Sequence, residues 1–510
     1  MILILILPFA IILGFLLQRR TGYDRLPPGP RPLPFIGNIH QHSINSAPWE
    51  QWYKWHKQYG PIISFRLGQR TIISIANHKM VGDLLERRAR IYSSRPQLIM
   101  LNEWLTKGML GVFMPYGPKW ESLRRLRMPL LSSQAVSAME ILLDVETLRL
   151  IRALESNPPP TQVILTQFLH SFASTLLYGG TVEFKDDGDV FRGFNDFQEE
   201  LLSFALTSDA VIEVFPSLVP LLAMFGKFAK SKKRGTRFHS TLLQTFHAKL
   251  DYGLRQESWN LAKEICGCQP PDITRDEVAY FLAELELGIV EATSMMLKHF
   301  VDIATEQPDA FAAAQNEIDT VVGTQRLPTV ENREKLPYVN ALITETMRCK
   351  TLGPMSIPRA ATQQDEYMGY TIPRGSTIIL NQWALNNDED IYTDPFMFKP
   401  QRWIETPELP QPFAFGAGKR LCPGQSLAQN ILFMSVSRIL WAFDIDPVAD
   451  TIVTHKRQSW LLCEPSDRNV VFQFRSSEQK AIVENKWDAV AKDNNWVLGI
   501  IHKCWMRLER

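Results

Sequence analysis

The sequence has few cysteines, almost no net charge and no long flexible linker, and each shortage excludes a class of protein. Six cysteines among 510 residues are too few and too scattered for the disulfide framework of a small secreted protein. A formal net charge of +1 gives no indication of nucleic-acid binding. No Ser/Gly-rich or strongly charged segment divides the middle of the chain, and no fixed-period repeat occurs. These absences favour one large domain with reduced thiols, and a hydrophobic content of 45% is enough for its core.

The longest apolar run lies at the N-terminus. Residues 1–17 are close to the lower limit of about 17 apolar residues for a helix that crosses a bilayer. The run lacks the charged start and the small-residue cleavage site of a secretory signal peptide. Arg19 and Arg20 follow it, which predicts that the rest of the chain stays on the cytosolic side. We therefore predict a transmembrane anchor at 1–18 and a basic, proline-rich hinge at 19–38.

The periodicity of apolar residues predicts a mainly α-helical protein with small β-sheets. The clearest helix begins with the capping box Thr274-x-x-Glu277 and keeps a 3.6-residue period to about Glu306, a length of roughly 45–50 Å. Two β-branched runs at 62–67 and 71–75, separated by a short turn, predict a hairpin. Strand signal returns near 367–380 and 451–475.

The segment around Cys422 indicates an iron-binding thiolate. It runs from Phe415 to Gly424 and reads FGAGKRLCPG. A sulfur that binds iron needs a loop that wraps it and donates N–H groups to it. We expect Gly418 and Gly424 to supply positive φ angles and close approach. Because Pro423 has no N–H, the donors must be Gly424 or later residues.

Three further segments accompany this loop. Glu345 and Arg348 stand one helical turn apart, PFMFKPQRW contains Arg402, and Trp120 precedes Arg124 by four residues. An acid–base pair at i,i+3 alone usually marks a solvated helix face. Together and in this order, the four segments resemble the cytochrome P-450 family, over roughly residues 26–475.

The resemblance implies a haem b held between the long central helix and the cysteine loop, with Cys422 as its axial ligand. Glu345, Arg348 and Arg402 are then the buried triad that frames the loop. The remaining residues that the resemblance assigns to haem are Arg420, Phe415, Gly424, Trp120, Arg124 and Arg359. For Arg359 a surface position before a strand is the alternative.

The central helix departs from the family's pattern. An ungapped alignment places Glu291 at the position of the family's acid but Ala292 where a threonine normally orders the water that relays protons for oxygen cleavage. Thr293, a substrate hydroxyl or a water held by Glu291 would then replace that threonine. A four-residue gap would instead put Met295 and Met296 at these positions, but an interrupted helix requires a cause.

Activity and partners follow from the resemblance. No dinucleotide-binding fingerprint occurs in the chain, so electrons should come from a separate flavoprotein, an NADPH-cytochrome reductase. Basic residues that could meet it are Arg125, Arg127 and Lys419. The expected enzyme is a monooxygenase in the endoplasmic reticulum membrane that uses O2 to oxidise an apolar substrate of fungal secondary metabolism. The alternatives are a haem-thiolate isomerase or dehydratase that needs no O2, and a non-enzymatic haem sensor or carrier.

The C-terminal tail is atypical for the family. We assign 39–475 to the catalytic domain and 476–510 to an extension that contains Trp487, Trp496 and Trp505. An amphipathic helix, a membrane-surface patch and a wrongly assigned gene end all remain open for it.

Overall fold

The structure is a computed structural model, and it describes residues 25–42, 47–155, 160–180, 211–222, 226–448, 463, 465–466, 468–490 and 493–506. The predicted anchor at 1–18 lies outside these residues, as does the start of the hinge. Within the described part of the chain, no helix combines the length and the apolar character that a membrane span requires.

Helices form most of the described protein, and the eleven longest are labelled α1 to α11. In chain order they are α1 Pro48–Tyr59, α2 Pro118–Leu130, α3 Glu140–Glu155, α4 Thr161–Tyr178, α5 Gly226–Arg255, α6 Arg275–Glu306, α7 Pro308–Val321, α8 Pro337–Cys349, α9 Gln425–Ala442, α10 Ser477–Ala489 and α11 Asn494–Met506. Proline at the first turn of α2, α7 and α8 fits the helix geometry, because its missing N–H would have no partner there.

Shorter helical segments connect these helices. They are Ile39–Gln41, His78–Val81, Gly82–Arg87, Ala89–Tyr92, Ile99–Leu105, Ser133–Ala138, Val211–Val214, Pro216–Leu218, Val219–Leu222, Leu261–Gly267, Val330–Lys335, Gln382–Asn386, Arg402–Glu405, Phe413–Phe415 and Gly418–Arg420.

The strands form three small sheets. In chain order they are β1 Ile62–Leu67, β2 Arg70–Ile75, β3 Arg359–Ala360, β4 Asp365–Tyr367, β5 Tyr370–Ile372, β6 Thr377–Leu380, β7 Phe443–Pro447 and β8 Val470–Phe474. The first sheet has the order β1-β2-β6-β3, in which β2 and β6 are parallel and the other pairs antiparallel. The predicted hairpin is confirmed, and its register pairs Ile62 with Ile75. β4 pairs with β5, and β7 with β8.

Helix α6 crosses the core. Its predicted capping box is present, with the Thr274 side chain and the Glu277 side chain each bonded to the other residue's backbone. The helix has 32 residues, a length of about 48 Å at 1.5 Å per residue. A buried ion pair between Lys249 of α5 and Glu286 of α6, 2.9 Å apart, joins the two longest helices.

The C-terminal helices α10 and α11 pack into the main core. Val483, Leu498 and Ile501 are fully buried, and they belong to the same apolar cluster as α3, α6 and α9. Asp144 of α3 accepts hydrogen bonds from Lys486 of α10, 3.2 Å, and from Arg438 of α9. The tail that the sequence left unexplained is thus a pair of helices docked on the body of the protein.

Candidate functional site

Cys422 lies in a tight loop directly before the 18-residue helix α9. Its backbone N–H donates to the carbonyl oxygen of Phe415 at 2.8 Å, which closes the loop. Gly416 and Gly418 adopt positive φ angles of 77° and 59°. A Cβ on Gly418 would lie 1.9 Å from the carbonyl oxygen of Leu85, so that position accepts only glycine. Backbone geometry therefore fixes where the sulfur lies.

Gly424 differs from the prediction. Its φ is −86°, because it leads into the first turn of α9, so the expected positive φ is wrong at this position. Its contribution is the N–H, which bonds to the Cys422 sulfur and lowers the pKa of the thiol. Pro423 has no N–H to offer, as the sequence indicated.

The environment of the Cys422 sulfur shifts its pKa in opposite directions. Burial raises the pKa above its ordinary value, while the N–H of Gly424 and the charge of Arg127 oppose that rise. The positive end of α9 also favours a thiolate. Burial prevails, so a cation in contact with the sulfur is the partner that would favour the ionised form.

Two other cysteines, Cys349 and Cys463, have different surroundings. Burial raises the pKa of Cys349 to about 12, and its sulfur lies 2.9 Å from a guanidinium nitrogen of Arg348. Cys463 is flanked in the sequence by Leu462 and Glu464 rather than by glycines, and the described residues that follow it, 465–466 and 468–469, are not helical. The glycine-rich loop with an N–H donor to the sulfur is described at Cys422, which is therefore the candidate ligand.

The structure brings the predicted triad together in the core. Glu345 and Arg348 are fully buried and form two hydrogen bonds, of 2.8 and 2.9 Å. Arg402, which is 4% exposed, donates to the same carboxylate at 3.1 Å. Burial favours the neutral acid, but the two arginines and the backbone N–H of Lys399 outweigh it and hold the pKa of Glu345 below its ordinary value. The charges thus satisfy one another, which makes their burial tolerable.

Trp403 is a fourth member of this cluster that the sequence analysis missed. Its indole N–H donates to Glu345 at 2.9 Å. The spare N–H groups of Arg348 donate to the carbonyls of Asn386 and Pro395, both at 2.7 Å. The signal in the sequence was only that Trp403 follows Arg402, and adjacent residues on a helix do not normally face the same partner.

Arginines surround the Cys422 loop. Arg420 donates to the carbonyls of Ser93 and Met114, at 2.8 and 2.6 Å. Its guanidinium lies 4.2 Å from the centroid of the buried Trp120 ring. The guanidinium of Arg124 lies 5.9 Å from the same centroid, and this residue is exposed. The indole therefore contacts two of the predicted cations.

Arg95 is a further buried arginine that the sequence analysis did not single out. It is 7% exposed and donates to the carbonyls of Val112, Ile357 and Pro358 at 2.7 to 2.8 Å. Burial and the positive charges of Arg420 and Arg359 lower its pKa. A single arginine before an apolar segment is too common for the sequence to reveal this role.

The position of Arg359 supports an anionic ligand at this site. The surface alternative is wrong, because Arg359 is only 5% exposed. One guanidinium nitrogen donates to Ala417 at 2.7 Å, while the other is buried with no hydrogen-bond partner among the described residues. Burial lowers the pKa of Arg359 to about 10; burial and the charge of Arg359 lower that of Arg420 to about 9. The two propionates of haem are anions of the kind that this cluster of buried cations fits.

One face of α6 borders open space near the cluster. Gly288 and Ala292, one turn apart, are exposed on a helix that is otherwise largely buried, and a Cβ on Gly288 would meet nothing within 4 Å. Glu284 lies on the same face. Its carboxylate accepts from the backbone N–H of Gly111 at 2.8 Å and from Arg127 at 2.9 Å. This open face therefore adjoins the arginine cluster and offers room for a flat ligand.

The structure separates the residues predicted for proton supply. Ala292 is exposed on the open face, and Glu291 is half-buried beside it. Thr293 is only 3% exposed and lies about 100° around the helix from Ala292. Its side chain points into the packed core, so it does not share the face of Gly288 and Ala292. Met295 and Met296 are buried as well.

Comparisons with known proteins agree with this geometry. A family model described as cytochrome P450 matches residues 27–472. The echilunin cytochrome P450 monooxygenase of Aspergillus ruber is 34% identical, over 97% of this chain and 93% of its own. The cytochrome P450 monooxygenase criE of Aspergillus cristatus is 34% identical, over 96% and 92% of the two chains. The cytochrome P450 monooxygenase okaD of Penicillium ochrochloron is 33% identical, over 95% and 93%.

These matches confirm the predicted family, the mainly helical fold and the haem with an axial cysteine thiolate. The names of the relatives favour a monooxygenase over an isomerase or a carrier. The predicted haem-thiolate monooxygenase of fungal secondary metabolism is thereby confirmed. The chain belongs to the cytochrome P450 family.

Proposed function

We propose that Cys422 is the axial ligand of the haem iron and that Arg359, Arg420 and Trp120 hold the propionates. Haem bound in this site supplies the activation of O2 that a monooxygenase needs. The observation that carries the proposal is the wrapped Cys422 loop beside buried arginines; one nitrogen of Arg359 has no hydrogen-bond partner in the described part of the chain. Phe415 shields the sulfur from water, and Gly424 donates to it.

The ligand assignment is tested with two serine variants. Cys422→Ser in the full-length protein should abolish the long-wavelength band that thiolate-bound haem shows with carbon monoxide after reduction. Cys463→Ser is the matched control and should keep the band. A normal band in Cys422→Ser, or its loss only in Cys463→Ser, would contradict the assignment.

Glu291, rather than a threonine or serine hydroxyl, supplies the protons for oxygen cleavage. Ala292 offers no hydroxyl on the open face, and the Thr293 hydroxyl lies in the packed core. The carboxylate of Glu291 therefore holds a water on this face, or a hydroxyl of the substrate takes that water's place. Of the alternatives from the sequence, Thr293 is the one that the geometry disfavours.

The substrate is an apolar small molecule. The segment between Arg95 and Gly111 contributes a buried apolar set close to the site: Ile99, Met100, Leu101, Trp104 and Leu105. The apolar segment 200–225 is a second candidate for contact with the substrate, and its residues 200–210 and 223–225 lie outside the described residues. Comparison of the metabolites of a deletion strain with those of its parent identifies the substrate, because the unmodified precursor accumulates.

The reductase docks on the side of α2 that carries exposed basic residues. Arg124 and Arg125 are exposed, and Met128, about one helical turn further along α2, is 46% exposed. Arg127, which the sequence placed on this surface, instead turns inward to Glu284. Charge reversal of Arg125, which the sequence analysis did not assign to haem, should slow electron transfer from NADPH-cytochrome reductase while leaving the carbon monoxide band unchanged.

A membrane location is supported by the chain around the hinge. Leu33, Phe35 and Ile36 form a turn that exposes 46%, 49% and 39% of their surfaces, and Phe35 has a φ of 66°, which is costly for a bulky residue. Two backbone hydrogen bonds between Leu33 and Gly37 hold this turn. We place the protein in the endoplasmic reticulum membrane as a single-pass protein, with this turn against the bilayer. Release of the full-length protein from microsomes by alkaline carbonate would contradict that placement.

A further inference from the structure

The loop at 96–110 has both ends fixed beside the site. Arg95, at one end, is part of the arginine cluster and donates to the carbonyl of Val112. At the other end, the N–H of Gly111 donates to Glu284 on the open face of α6. The loop therefore begins and ends beside the site, and it contains the seven-residue helix Ile99–Leu105.

A carboxylate from a distant part of the chain holds the start of this helix. The two oxygens of Glu213, in the segment Val211–Val214, accept hydrogen bonds from the backbone N–H groups of Met100 at 2.8 Å and Ile99 at 3.0 Å. The first N–H groups of a helix have no partner within it, so a carboxylate there satisfies them. At the other end of the helix, the carbonyl of Leu105 lies 3.2 Å from Nδ1 of His239.

Arg70 ties the same two segments to the first sheet. Its Nε donates to the backbone carbonyl of Glu213 at 2.8 Å, and its Nη2 donates to the carbonyl of Gln97 at 2.6 Å. Next to it, the N–H of Gln69 donates to Val214 at 2.8 Å. The β1–β2 turn thus bonds to both segments. Glu213 links them directly, to residues 113 and 114 positions earlier in the chain.

We propose that Glu213 is a positioning residue that closes the 96–110 loop over the substrate cavity and so limits the access of apolar molecules to the haem. The proposal rests on the haem site proposed above. Loss of the carboxylate frees Ile99 and Met100 at the start of the helix, whereas Arg95 and Gly111 still hold the two ends of the loop. The loop then opens more often without leaving the fold.

The test uses the haem-loaded full-length protein and 4-phenylimidazole, an apolar ligand whose nitrogen binds haem iron. Stopped-flow absorbance should show association and dissociation rate constants at least tenfold higher in Glu213→Ala. Glu213→Gln should give intermediate rates, because its amide oxygen still accepts one of the two bonds. The control is Glu103→Gln, which removes an exposed carboxylate from the same loop. In the described part of the chain Glu103 bonds to Gln97, which lies in the loop itself, so the rates of this variant should stay within twofold of the parent's.

Hydrogen exchange of the peptide that contains Ile99 and Met100 gives a second readout. We expect faster exchange there in Glu213→Gln, with the peptide around Cys422 unchanged. A purely structural role for Glu213 would lower the melting temperature without raising the ligand rates. The proposal is overturned if Glu213→Ala binds haem and its rates stay within twofold of the parent's. Should Glu213→Ala fail to load haem, unchanged rates and unchanged exchange in Glu213→Gln overturn it.

A failure of the haem site itself is distinguishable from a failure of this proposal. In that case the parent protein lacks the carbon monoxide band, while the exchange experiment still reports whether Glu213 holds the loop.

Discussion

Replacement of Glu345 by alanine removes the one anion of a buried charge cluster. Arg348 and Arg402 would keep their charges at 0% and 4% exposure, and the indole N–H of Trp403 and the backbone N–H of Lys399 would lose an acceptor. Breaking a buried ion pair from one side costs about 3–5 kcal/mol. Each buried donor left unsatisfied adds about 1–3 kcal/mol. Because the whole free energy of unfolding of a protein is about 5–15 kcal/mol, we expect Glu345→Ala to lose haem and most of its stability.

The assay is the carbon monoxide band per milligram of protein together with the thermal melting temperature. Glu405→Ala is the matched control, since it removes a carboxylate of the adjacent short helix whose ion pair with Lys399 is about half exposed. A surface pair of this kind contributes about 0–1 kcal/mol, so the control should retain its haem. Parental haem content and melting temperature in Glu345→Ala would refute the reasoning.

Three further predictions concern other parts of the chain. Ala292→Thr should restore a hydroxyl on the open face and raise the fraction of consumed NADPH that yields product; an unchanged ratio would count against the alignment of α6. Truncation after Arg475 should remove the carbon monoxide band and leave aggregated protein, because the deleted helices bury several large apolar side chains worth roughly 1.5–3 kcal/mol each. Burial alone would raise the pKa of Glu286, but the opposing effect of the Lys249 charge is larger. The net result is a pKa lowered to about 2. The pair's contribution to stability is therefore complete above about pH 4.5 and declines as the pH falls toward 2. Glu286→Gln should reduce this acid sensitivity in urea unfolding, and an unchanged pH profile would contradict it.

The starts of helices were predictable from the sequence, because they depend on neighbouring residues. The capping box at Thr274 and the proline at Pro337 fix where α6 and α8 begin, because both depend on residues within one turn. The pairing of Glu345 with Arg348 is local for the same reason. The contact with Arg402 joins residues far apart in the chain, and only the family resemblance suggested it.

Features that depend on several distant segments were not accessible from the sequence. Arg127 looked like a surface cation, but its partner Glu284 lies 157 residues away on α6. The φ of Gly424 depends on the exact start of α9, and a motif of residue types does not specify it. Thr293 was a candidate because it is one place from Ala292, yet a shift of one residue on a helix turns a side chain by about 100°.

The shared anchoring of Asp144 has a practical consequence for engineering. The same carboxylate binds Lys486 of α10 and Arg438 of α9, the helix that follows Cys422. Tags, fusions or domain exchanges joined near residue 476 would therefore disturb the anchoring of α9, the helix that follows the Cys422 loop. A chimaera whose boundary falls there would show altered haem retention that is easily mistaken for a change in substrate preference.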